Sequence, residues 1–146
     1  MNTVASIPTI IVKRKIAAPA QLIFDAWLNP TALAEWMRPC SSSIAPSTVK
    51  LDAREGGAFE IVMHVDSGPV SHTGIYQIID APRLLVFTWN SPYAGQHDSL
   101  VTVEFHDDGE ATEVILTHER LPEAAQAGHT AGWTEILEAL EKIINP

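Results

Sequence analysis

Two histidines and a tryptophan are the residues best placed for chemistry in this 146-residue sequence. His129 and Trp133 stand one helical turn apart near the C-terminus, and His118 closes the segment before them. Burial on an apolar helix face depresses a histidine's pKa, so His129 would act as a neutral donor and acceptor that grips a ligand's polar atom. The competing reading is a buried histidine satisfied by a backbone carbonyl, with no chemistry of its own. His118 ends an inward-facing row and is a candidate partner for His129.

Other chemistries lack their residue patterns. His64, His72, His97, His106, His118 and His129 show no HxH or HxxxH spacing, and the single Cys40 excludes a multi-cysteine site. No metal and no other cofactor is expected. Cys40 and Ser41 to Ser43 follow Pro39 in an apparent loop without the strand-turn-helix elbow that exposes a nucleophile. Gly56-Gly57 lies between two strands rather than before a helix, which makes it a turn or bulge and not a phosphate cradle. Asp25 and Glu35 read as surface carboxylates. No residue is assigned as catalytic.

The large side chains carry more information. Roughly half of an aromatic set is core in most domains, and the remainder is free to line a cavity. Tryptophan and tyrosine bring an N–H or O–H that needs a partner when buried, and methionine adapts to varied shapes. The candidate ligand-binding wall is therefore Trp36, Met37, Phe59, Met63, Tyr76, Phe87, Trp89, His118, His129 and Trp133.

These residues need a sheet and a helix to hold them. Residues 9–17 alternate as a strand with Ile10, Val12, Arg14 and Ile16 inward, and Arg14 must reach the rim or pair with a carboxylate. Pro19 opens a short helix, and Asn29 then caps a second one that Pro39 closes. Between residues 46 and 119 the period is two, which predicts strands at about 47–53, 58–65, 71–80, 84–90, 99–106 and 111–119. One face is apolar, while the other carries Glu60, His64, Thr88, Thr102, Glu104, Glu113 and Thr117. From Pro122 onward, His129, Trp133, Ile136, Leu137, Leu140, Ile143 and Ile144 fall in one helical arc. A continuous helix of roughly 22 residues would be about 33 Å long and would cross the sheet. Gly128 and Gly132 border its apolar stripe and call for either a bend or a close contact.

Composition narrows the partners. An apolar fraction of 46% fills one core and can still line a cavity, so residues 1–146 are expected to form a single domain. A formal charge of −9 disfavours nucleic acid. The sequence has neither a long apolar run nor a signal-like start, so no membrane insertion and a cytoplasmic location are expected.

The order of one strand, two short helices, six strands and one long helix resembles the helix-grip fold of the START-like, or SRPBCC, superfamily. Within it, AWLNPTALAEWMRP (26–39), DAREGGAFEIVM (52–63), GIYQIIDAPRLLVFTW (74–89), EVILTHERL (113–121) and GHTAGWTEILEAL (128–140) resemble the activator of heat-shock-protein ATPase homologue branch. The resemblance implies an α+β domain whose curved antiparallel sheet of about seven strands wraps the C-terminal helix around a hydrophobic cavity. The eukaryotic co-chaperone of that branch has a further N-terminal domain that these 146 residues do not include, so cavity binding is expected ahead of ATPase activation. The expected function is binding of a small hydrophobic or aromatic molecule. Two alternatives stay open: a cyclase, lyase or hydrolase using a pocket histidine, and an interaction module acting as a homodimer or chaperone accessory.

Overall fold

A computed structural model describes residues 9–95 and 98–146; His97 and residues 1–8, which the sequence reading places in the domain, lie outside the described residues. Thr9–Ile16 forms β1 with Ile10, Val12 and Ile16 buried, as its alternation requires. Arg14 shares that row, half-buried, and its guanidinium pairs with Glu141 of the C-terminal helix at 2.7 Å. Two short helices follow, α1 (Ala20–Trp27) and α2 (Pro30–Trp36). Asn29 caps α2 as expected, its side-chain oxygen accepting from the amides of Thr31 and Ala32 at 3.0 and 3.2 Å.

Six more strands come next: β2 (Ser43–Leu51), β3 (Ala58–Val65), β4 (Gly68–Asp80), β5 (Leu84–Trp89), β6 (Ser99–Asp107) and β7 (Thr112–Glu119). Every pairing is antiparallel, in the order β1-β7-β6-β5-β4-β3-β2. Short turns make β2 to β7 successive neighbours, whereas the two helices carry the chain away so that β1 closes the far edge beside β7. The curled sheet grips α3 (Glu123–Ile144), whose Trp133, Ile136, Leu137, Ala139 and Leu140 are buried against the apolar rows. Each such large side chain contributes about 1.5–3 kcal/mol when fully buried.

The structure departs from the sequence pattern in four places. β2 starts at Ser43 rather than near 47, because register shifts between Ser43 and Thr48, around Pro46, erase the alternation that would reveal it. The β3–β4 connection is only Asp66 and Ser67, so β4 begins at Gly68, which has φ +119. Thr88, expected on the polar face, is buried because its hydroxyl accepts the Ile75 amide at 2.9 Å where the β4–β5 ladder is irregular. Ile143, at the edge of the helical arc and in the last turn, is 44% exposed.

Gly74 of β4 is where backbone and ring come closest. A Cβ there would lie 2.0 Å from the Thr88 carbonyl oxygen and 2.4 Å from the Phe59 ring, so only glycine lets Phe59 lie flat across β4.

Candidate functional site

A pocket of about 510 Å³ lies between the β3–β5 end of the sheet and the first half of α3. Met63, Val70, His72, Trp89, Trp133 and Ile136 form its buried floor. Asp66 and Ser67 of the β3–β4 turn, Tyr93 of a one-turn 3-10 helix, and Ala124 and Gly128 of α3 are exposed at the rim. Pro39 and Ser42 close another side, on a loop that is tied to α3: the Ser41 amide and hydroxyl donate to the two carboxylate oxygens of Glu135 at 2.8 and 3.0 Å. The volume falls within the usual range for small-molecule sites.

Trp89 and Trp133 bring their rings to 5.1 Å, and His72 lies against Trp89 at 4.9 Å. His72 hydrogen-bonds through Nδ1 to the Ile61 carbonyl at 3.2 Å. Burial, only partly offset by that bond, lowers its pKa to about 4, so it is neutral near pH 7.

Behind this floor runs a directional hydrogen-bond chain. Trp133 Nε1–H donates to His118 Nδ1 at 3.0 Å, which puts the ring proton of His118 on Nε2. That proton is directed to the Ser99 hydroxyl at 2.7 Å, and Ser99 in turn donates to the Trp89 carbonyl at 2.6 Å. Burial, reinforced by His129 nearby, lowers the pKa of His118 to about 3. With both nitrogens engaged and no solvent exposure, His118 is a positioning residue for Trp133 rather than a proton carrier.

His129 is different. Its Nδ1 donates to the Ala125 carbonyl one turn back at 2.9 Å, and its ring meets that of His118 edge-on at 5.2 Å. Burial lowers its pKa below the ordinary histidine value. Nε2 keeps its lone pair in a half-buried residue that lines the pocket, so it can accept a hydrogen bond or a proton there.

Of the ten wall candidates, Met63, Trp89, His129 and Trp133 line the pocket. His118 lies one layer behind. The other five do not reach it. Trp36 is core, packing edge-on against Trp27 at 4.7 Å with its N–H on the Ala26 carbonyl. Met37, Phe59, Tyr76 and Phe87 surround a void of about 10 Å³, barely one water molecule, so here aromatic packing has consumed the space. Burial raises the Tyr76 phenol pKa above its ordinary value.

Sequence reasoning missed His72, Val70 and the small residues of α3. Val70, His72, Gly74 and Tyr76 form one inward row of β4, so the parity of Tyr76 was the available signal for His72. Gly128 and Gly132 have a simple setting. The helix is continuous through them, and nothing lies within 4 Å of a Cβ placed on either. Neither a bend nor a close contact accounts for them; they border open pocket.

Among the described residues, no group of three His, Cys, Asp or Glu side chains could hold a metal ion, and no helix is long and apolar enough to cross a membrane.

A curled antiparallel sheet gripping a long C-terminal helix, with a pocket at their junction, defines a START-like α+β domain. The chain belongs to the Activator of Hsp90 ATPase homolog 1-like family, whose model matches residues 17–145. Solved structures agree on the fold. Protein CV1439 from Chromobacterium violaceum is 24% identical with TM-score 0.80, the match covering 94% of this chain and 97% of that one. An AHSA1-like protein from Aeromonas hydrophila is 24% identical with TM-score 0.75, covering 92% and 90%. CalU16 from Micromonospora echinospora is 25% identical with TM-score 0.72, covering 94% and 76%. No curated protein matches the chain significantly.

Proposed function

We propose that this chain binds a small hydrophobic or aromatic molecule in the pocket between β3–β5 and α3. The observation that carries the reading is the pair Gly128 and Gly132. Each is about 1 kcal/mol less favourable than alanine inside a helix, and here no neighbouring atom demands the missing Cβ. Both border the pocket, so what the two glycines provide is room in it. The indole surfaces of Trp89 and Trp133 and the thioether of Met63 supply an apolar floor, and His129 Nε2 supplies an acceptor that orients a polar atom.

A ligand burying roughly 200 Å² of aromatic surface gains about 5 kcal/mol from desolvation, which corresponds to dissociation constants on the order of 100 μM. The test uses N-phenyl-1-naphthylamine, an uncharged dye that brightens in apolar surroundings. Saturable one-to-one binding is expected, weakened at least tenfold by Gly132→Leu, which places a side chain in the open space. Binding that is absent, or unaffected by Gly132→Leu, defeats the proposal. Native mass spectrometry of the purified protein then identifies any retained natural ligand.

A further inference from the structure

We propose that the pocket selects uncharged aromatic ligands and rejects the same skeleton bearing a carboxylate or sulfonate. This deepens the binding reading above and rests on it.

What the pocket lacks, among the described residues, is a cation. All nine lysines and arginines of the sequence lie among the described residues, and none of them lines the pocket. The only charged side chain on its described wall is Asp66, an exposed carboxylate in the β3–β4 turn at the rim. An anion moved from water onto an apolar floor without a cation keeps most of its desolvation penalty, and a carboxylate at the rim adds repulsion. The one positive feature is the first turn of α3, which reaches the pocket through Ala124 and Ala125. Its partial charge is about half a unit, and Glu123 in the same turn opposes it.

The other polar groups of the wall are of both kinds: among the described residues the buried Trp89 Nε1–H finds no hydrogen-bond partner and is a donor. His129 spends its Nδ1 proton on Ala125, which leaves Nε2 an acceptor on a side chain that lines the pocket, and Asp66 offers carboxylate oxygens. His72 likewise directs its Nδ1 to Ile61. The serine hydroxyls of Ser42 and Ser67 and the Tyr93 phenol serve as either partner and do not discriminate. Neutral donors and neutral acceptors therefore both find partners here, and what the wall does not offer is a cation for an anion.

Two dyes of one skeleton test this at pH 7.5: N-phenyl-1-naphthylamine and 8-anilino-1-naphthalenesulfonate, which adds an anion. The amine should bind at least tenfold more tightly than the sulfonate. Asp66→Lys should narrow the amine-to-sulfonate gap at least threefold. A sulfonate that binds as well as the amine, or a gap unmoved by Asp66→Lys, overturns the charge selection. In either case saturable binding persists, so the binding reading survives; if neither dye binds, both fall together.

Discussion

The indole N–H of Trp133 on α3 donates to Nδ1 of His118 on β7 at 3.0 Å, with both side chains buried, so the helix is fastened to the sheet directly behind the pocket floor. Trp133→Phe keeps most of the ring but strands the His118 acceptor. An unsatisfied buried acceptor costs about 1–3 kcal/mol, and urea denaturation should show a loss of about 2 kcal/mol. In a His118→Leu background the same change should cost less than half as much, because no acceptor is left behind. Equal costs in the two backgrounds would mean that the bond contributes nothing.

The buried histidines make acid a denaturant at mild pH. An unfolded histidine titrates near 6.5, whereas burial holds His118 near 3 and His72 near 4 in the fold. Between those values and 6.5 the unfolded chain carries more protons than the native one, so stability is fully present above pH 6.5 and falls as pH drops. The slope approaches about 1.4 kcal/mol per pH unit for each histidine. Asp107 and Asp108, whose carboxylates accept first from the amides of Ala20 and Ala111, are held below the usual carboxylate range and act in the same direction at lower pH. Denaturation curves between about pH 5 and 6.5 isolate the histidines. His118 and His72 ring signals that titrate near 6.5 in native-state NMR would refute this.

Glycines of the two kinds should respond oppositely to alanine. At Gly128, where no atom lies within 4 Å of the new Cβ, alanine should stabilise by up to about 1 kcal/mol. At Gly74 the new Cβ would press on the Thr88 backbone oxygen, which cannot step aside, and the loss should be about 3 kcal/mol or more. Thermal melts of the two variants give opposite signs if this account is right.

Strand rows and the helical arc were readable from sequence because one face of each element meets the core and the other meets water. That is why the seven strands, α3 and the Asn29 cap could be placed. The pocket wall was not readable in the same way, since core and pocket share one apolar code. Phe59 and Trp89 have the same pattern, yet Phe59 is enclosed by Tyr76, Phe87 and Trp89 while Trp89 also faces empty space. What separates them is volume left unfilled, and the sequence carries that only as missing side chains at Gly128 and Gly132. The partners of His118 were hidden for a related reason: Ser99 and Trp133 reach it from two other elements, and only tertiary packing joins them.

Glu135 makes a last distinction between stability and binding. Its carboxylate takes both the amide and the hydroxyl of Ser41, which holds the loop bearing Pro39 and Ser42 against the pocket. These bonds are exposed, so water replaces them readily and Glu135→Ala should lower unfolding stability by less than about 1 kcal/mol. The loop should open more often at Ser41, whose amide and hydroxyl both go to Glu135, while backbone bonds still hold Ser42 and Ser43. Hydrogen exchange at the Ser41 amide should therefore accelerate at least fivefold, and N-phenyl-1-naphthylamine should dissociate several-fold faster, with its association rate changed much less. An unchanged exchange rate at Ser41 would show that the loop is held by something other than Glu135, and the dissociation rate should then be unchanged as well.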